Sequence, residues 1–172
     1  MPGVDRHIRV WRHIVFPLTA AFVVAIDQVS KQWIRTHSIP GETLFEIGRL
    51  RLIHSYNTGS AFGLFTDQSF ILSIVAIIGL VVILLFYRYQ YKSRLFFSLT
   101  LGLVFGGALG NLIDRLRIGH VTDFIDVRLW NNFHWPTFNA ADSAISVGMI
   151  ALICFIVVGL IKEKDRSCET GS

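Results

Sequence analysis

Phe70-Ile-Leu-Ser-Ile-Val-Ala-Ile-Ile-Gly-Leu-Val-Val-Ile-Leu-Leu-Phe-Tyr87 carries no charge, and Ser73 is its one interruption. At about 1.5 Å per residue, a helix of this length crosses roughly 30 Å of hydrocarbon. Working outward, three further apolar blocks run over 14–34, 95–113 and 138–161. The second half of the first is broken by Asp27, Gln28, Ser30, Lys31 and Gln32. Arg6, Arg9 and Arg12 precede that block in the manner of a signal peptide. No small-x-small site follows its apolar stretch, however, and the helical pattern continues past Asp27, so it reads as a retained span.

Composition agrees with a membrane chain. Of 172 residues, 52% are hydrophobic and 16% charged, and mean hydropathy is +0.54. Soluble domains carry about one-quarter charged residues. The net charge of +4 and pI of 9.4 come from basic residues that flank the apolar blocks, which argues for membrane topology and against nucleic acid. Cys154 lies inside an apolar block and Cys168 in the polar tail, with neither metal-ligand spacing nor a disulfide framework.

Orientation follows from Lys and Arg. Arg6, Arg9 and Arg12, then Arg88, Lys92 and Arg94, then Lys162, Lys164 and Arg166 occupy three short segments, which hold nine of the sixteen basic residues. The positive-inside rule places those segments, and so both termini, in the cytoplasm. The connections 36–69 and 115–137 are then external. In the first, Arg49-Leu50-Arg51-Leu52 alternates like a strand, Asn57-Thr58-Gly59-Ser60 signals a turn, and Ala61-Phe62-Gly63-Leu64-Phe65 reads as a second short strand. The second carries Trp130, Phe133 and Trp135, which suit the membrane interface. The fold expected is an all-α membrane protein: one domain over 1–172, a four-helix bundle with a small β-hairpin sheet and a short interfacial segment on its outer face. Gly102, Gly106 and Gly110, with Gly107 beside them, read as a packing face of the third span.

With that topology, polar residues of three helices fall at one depth near the outer face. Asp27 and Lys31 are spaced i,i+4, Asn111 precedes Asp114 and Arg115 by three and four, and Asn139 precedes Asp142 by three. An ionised group within a span costs on the order of 3 kcal/mol, so such a cluster points to function. Metal chemistry lacks a motif: His120-x-x-Asp123 is weak spacing and no HExxH helix exists. Ser30 and Lys31 are adjacent and cannot face one another, and Gly59-Ser60 lacks the flanks of a nucleophile elbow. Carboxylates remain: Asp114, Asp123, Asp126 and Asp142. Two that converge share a proton, so that one activates water and the other protonates a carbonyl. Spacing alone leaves open an aspartyl hydrolase and a proton- or ion-coupled transporter, and does not choose among the four acids.

Five stretches carry a resemblance to a known family. They are Asp27-Gln-Val-Ser-Lys31, Tyr56-Asn57-Thr-Gly59-Ser-Ala61-Phe62-Gly63, Gly106-Gly-Ala-Leu-Gly110-Asn111-Leu-Ile-Asp114-Arg115, Val121-Thr-Asp123-Phe124-Ile-Asp126 and Phe138-Asn139-Ala-Ala141-Asp142. In this order they resemble the lipoprotein signal peptidases (signal peptidase II), the bacterial membrane aspartyl proteases. The resemblance implies an endopeptidase of the bacterial cytoplasmic membrane that removes the signal peptide from prolipoproteins, cutting just before a diacylglyceryl cysteine. It implies no cofactor, with that substrate and membrane lipids as partners; motif spacing gives no metal site, and a monomer is expected. It implies Asp123 and Asp142 as the catalytic pair, with Asn57, Asn111, Arg115 and Asn139 positioning substrate or pair. Asp27 and Lys31 would support the site, and Asp114 would be structural.

Overall fold

The computed structural model describes residues 2–59, 68–89, 95–130 and 133–170. Four helices and four strands follow in the order α1 (Pro2–His37), β1 (Thr43–Ile47), β2 (Leu50–Asn57), α2 (Ser69–Tyr89), α3 (Leu95–Ile118), β3 (Val121–Trp130), β4 (Phe133–Phe138) and α4 (Ala140–Thr170). Ile14–His37 of α1, all of α2 and α3, and Ala140–Ile161 of α4 are long and apolar enough to cross a membrane. Hydrocarbon satisfies no backbone polar group, so these apolar runs close their hydrogen bonds within helices. Their outward residues are apolar too: Leu18, Phe22, Ile26, Val29 and Trp33 form one exposed stripe on α1.

Helix α3 is the axis of the bundle. Helices α1 and α4 pack along it, α2 packs on it less extensively, and α2 and α4 barely touch each other. The glycines permit the close approach. A Cβ on Gly102 would lie 2.8 Å from Thr19 Cβ, on Gly106 2.7 Å from the Ala20 carbonyl oxygen, and on Gly110 2.6 Å from Asp27 Oδ2. Gly107 faces the other way, onto Ala141 and Ile145 of α4. The expected packing face is therefore two-sided. One end of the bundle is apolar, with Phe16, Phe97 and Leu101 at its centre and Tyr87 stacked on Phe16 at 4.3 Å.

The strands form one antiparallel sheet in the order β1-β2-β3-β4. The expected strand at Arg49–Leu52 is there, but it runs on to Asn57 and its sequential partner precedes it. Gly48, at φ +58°, turns β1 into β2 and supplies the positive φ of a two-residue hairpin. The strand read at Ala61–Phe65, and Ser60 before it, lie outside the described residues. The connection 115–137 is more than an aromatic interfacial segment: its first residues extend α3 to Ile118, and β3 and β4 follow. Gly119, at φ +80°, closes α3 with its N–H on the Arg115 carbonyl at 3.1 Å.

Cross-strand neighbours sort the sheet into two faces. Ile47, Leu50, Val127 and Trp135 line up, as do Phe45, Leu52, Ile125 and Phe138. The opposite face carries Glu46, Arg51, Asp126, Arg128 and His134, joined by the Arg51–Asp126 and Arg128–Glu46 ion pairs and a His134–Asp126 hydrogen bond. On the apolar face, Phe45, Ile47, Leu50 and Trp135 are exposed.

Candidate active site

Opposite the apolar end, α1, α3, α4, β2 and β3 bring polar side chains together. The i,i+4 pair on α1 forms as its spacing requires: Lys31 Nζ lies 2.8 Å from Asp27 Oδ2, both fully buried. Lys31 also reaches Asp114 Oδ2 at 3.2 Å and donates to Asn111 Oδ1 at 2.8 Å. Asp27 Oδ1 accepts the Ala141 N–H at 3.0 Å, which ties α1 to the first turn of α4. Three helices are thus joined through one ammonium and one carboxylate.

Helix α4 opens with Asn139 as its cap. Asn139 Oδ1 accepts the Asp142 N–H at 2.9 Å, and Asp142 Oδ2 accepts the Asn139 N–H at 3.3 Å. This reciprocal pair is a capping box, which fixes the Asp142 carboxyl at a helix N-terminus where negative charge is favoured. The other Asp142 oxygen accepts Asn111 Nδ2 at 2.7 Å. Asn139 turns its amide to Asp123 Oδ1 at 2.6 Å, and Asn57 Nδ2 donates to Asp123 Oδ2 at 2.9 Å. Asp123 and Asp142 therefore flank one residue, Asn139, which bonds to both.

The four acids that spacing could not rank are now distinct. Asp114 Oδ1 accepts from Gln28 and is ion-paired with Arg35, while Oδ2 accepts the Thr122 N–H and is ion-paired with Lys31. Asp126 is taken by Arg51 at 2.6 Å and by His134 at 2.9 Å on the charged face of the sheet. Among the described residues, Asp123 and Asp142 have one donor per oxygen. Burial, and then the charge of Asp142, push the Asp123 carboxyl up to about 7, against the lowering effect of Asn57 and Asn139. Arg115, half-buried on α3, faces the charges of Asp142, Asp123 and Asp114.

A cleft of about 680 Å³ opens between α2 and α4, above α3. Asn57, Asn111, Arg115 and Asp142 gather at its polar part, while Val75, Ala76, Ala108, Ile145 and Phe138 line the rest. Asp123 is fully buried and connects to the cleft through Asn57. All nine residues singled out in the sequence thus gather at this end of the bundle, with Asp27, Lys31 and Asp114 set behind the lining. Sequence reasoning missed Gln28, Arg35 and Thr122. Gln28 donates to Asp27, to the Gly110 carbonyl and to Asp114. Arg35 continues the Asp27–Lys31 stripe by one further turn, and that spacing was its signal. Among the described residues no group of His, Cys, Asp and Glu is placed to hold a metal.

Four candidate spans thus surround an apolar cleft with Asp142 at its polar part and Asp123 behind it, an arrangement in keeping with a membrane hydrolase. Residues 19–158 match the family model described as signal peptidase (SPase) II, and the chain belongs to that family. It is 46% identical to the lipoprotein signal peptidase of Moorella thermoacetica over 88% of this chain and 97% of that protein. Identity to the lipoprotein signal peptidase of Yersinia enterocolitica is 42%, covering 86% and 88%. A bacterial membrane enzyme solved by the in meso method at 2.3 Å resolution superposes with a TM-score of 0.73 at 35% identity, covering 86% of this chain and 87% of that one.

Proposed function

We propose that this chain is an aspartic endopeptidase that removes the signal peptide from prolipoproteins, with Asp123 and Asp142 as its catalytic pair. The observation that carries the reading is the pairing itself: two carboxyls on either side of Asn139, which bonds to both. Asp123, pushed up to about 7, still carries its proton in a substantial share of molecules near neutral pH and donates it to the scissile carbonyl. Asp142 takes the proton of the attacking water. The tetrahedral intermediate collapses as the amine leaves with a proton, and the pair returns to its starting charge. Arg115 and Asn111, at the cleft, orient the peptide; Asp27 and Lys31 brace the helices that carry the pair, and Asp114 serves as structure.

The substrate class fits the same cleft. Its apolar lining suits a signal-peptide helix that enters sideways from lipid between α2 and α4. The exposed apolar residues of the sheet, with Trp135 at the cleft, suit acyl chains of a diacylglyceryl cysteine next to the cut. We assign the site to the outer side of the bacterial cytoplasmic membrane, both termini to the cytoplasm, and a monomer as the working unit. The placement of basic residues supports that orientation.

Mass analysis of a model diacylglyceryl prolipoprotein incubated with the purified protein tests the activity. Release of the signal peptide with the lipidated cysteine as the new N-terminus is expected; an intact substrate overturns the reading. For orientation, single cysteines replace Glu42 or Ser93 after Cys154 and Cys168 are changed to Ser. An impermeant external reagent should label position 42 and spare 93, and the reverse pattern inverts the topology.

A further inference from the structure

Asp123 is the third residue of β3, the first strand after α3, and its neighbour Thr122 is held from outside the sheet. Arg35 Nε donates to Thr122 Oγ1 at 2.8 Å, and Arg35 Nη2 pairs with Asp114 Oδ1 at 2.7 Å. The other oxygen of Asp114 accepts the Thr122 N–H at 3.2 Å. Thr122 is thus gripped twice, through its hydroxyl by α1 and through its main chain by α3, and it is fully buried. Successive strand residues point to opposite faces, so fixing Thr122 toward the helices aims Asp123 the other way, at Asn57 and Asn139. The ladder alone holds this point loosely. The β2–β3 register shifts between Leu52 and Ser55, and Ser55 is the partner of Asp123.

We propose that Arg35, Asp114 and Thr122 form a positioning clamp that fixes the Asp123 carboxyl for catalysis, with Arg35 as a positioning residue of the reaction. The proposal rests on Asp123 being catalytic. Arg35 suits the task because a guanidinium spans two acceptors in a fixed fork, which a Lys ammonium does not. Loss of the clamp lets Asp123 drift between its two amide donors without removing any group that touches substrate. The cost falls on kcat, because the geometry is needed only in the transition state.

The test compares Thr122→Val, Thr122→Ser and Arg35→Lys with wild type in one detergent, measuring kcat, KM and thermal midpoint. Thr122→Val keeps the β-branched shape and removes the hydroxyl, and we expect kcat to fall about fivefold, the value of one ordinary hydrogen bond. KM and the thermal midpoint should stay near wild type. Thr122→Ser restores the hydroxyl and should recover most of the rate. Arg35→Lys removes the same bond and also loosens the Asp114 pair, so kcat should fall at least as far, and adding Thr122→Val to it should lower kcat no further. Wild-type kcat in Thr122→Val, or equal loss in the Val and Ser variants, overturns the clamp. Asp123→Asn is run beside them: if it stays active, the catalytic assignment of Asp123 has failed, whereas an inactive Asp123→Asn with a fully active Thr122→Val refutes the clamp alone.

Discussion

Phe16, Phe97 and Leu101 fill one end of the bundle, and about three turns away on the same two helices Asp27, Lys31, Asn111 and Asp114 fill the other. The apolar end is held by shape. In lipid, apolar side chains gain no stabilisation from leaving water, so contact between them is what remains, and many small contacts share it. The polar end is held by complete pairing: Lys31 touches three partners, and each buried carboxylate on α1 and α3 has its donors. A defect at the first end is diluted among neighbours. At the second it leaves a buried charge unmatched, and the site is built from that second end.

The sharpest way to separate the ends is to remove one reacting group. Asp123→Asn or Asp142→Asn should each lower kcat by about a thousandfold or more while the protein still folds, and the double variant should fall no further. Leu101→Ala, at the apolar end, should lower the thermal midpoint and leave the kcat of the folded protein unchanged. Activity in either Asn variant removes that residue from the pair. An equal kcat loss in Leu101→Ala would erase the distinction between the ends.

Next in size is the ammonium at the centre of the polar end. Lys31→Met preserves much of the side-chain volume and leaves Asp27 and Asp114 facing a thioether. Breaking a buried pair from one side costs about 3–5 kcal/mol. Denaturation in mixed micelles should show a loss of that order, and Asp27→Asn added to Lys31→Met should recover part of it. A single Lys31→Met variant as stable as wild type would mean that the buried charges are not coupled.

The glycines sharpen the contrast within a single substitution type. A methyl at Gly110 meets Asp27 Oδ2 at 2.6 Å, whereas one at Gly79 on α2 meets nothing within 4 Å. Gly110→Ala should therefore displace Asp27 from the first turn of α4 and lose about 1–3 kcal/mol together with activity. Gly79→Ala should leave both unchanged, as paired melting and cleavage assays would record.

The same division governs what could be read from the chain itself. The apolar run 70–87 declares α2 because lipid-facing helices need only composition and length. Helix ends were harder: α3 continues through Arg115, Leu116, Arg117 and Ile118, where two charges interrupt the apolar run. The sheet was half-legible. Strand β2 alternates, but its main partner β3 lies two spans later, and register shifts between Ile125 and Val127 break the period of β3 and β4. The site followed suit. Asp27–Lys31 and Asn139–Asp142 are local spacings and could be found locally. Asp123 sits on a strand whose neighbours come from distant segments, so it was chosen through the family resemblance. Arg35 passed as one more basic residue at the end of a span, because only the fold brings Asp114 and Thr122 to it.

The last comparison is a change of stability with pH that belongs to Asp123. Its carboxyl has an ordinary value of 3.8 and is pushed up to about 7 in the fold, first by burial and then by Asp142. Below the ordinary value both folded and unfolded chains hold the proton, and the residue contributes nothing. As pH rises through that value the unfolded chain releases its proton while the folded chain keeps it. Folding must then recapture the proton, so the fold loses stability steadily until about pH 7, where the folded carboxyl ionises as well and the loss levels off. Asn at 123 does not titrate. The thermal midpoint of Asp123→Asn minus that of wild type should therefore increase by several degrees between pH 4 and 7 and stay level above it. Groups present in both proteins cancel in the difference. Asp142→Asn should shorten the window from its alkaline end, because the Asp142 charge supplies part of the rise. A difference that shrinks as pH rises would mean that the fold favours ionised Asp123, and the acid of the proposed mechanism would have to be sought elsewhere.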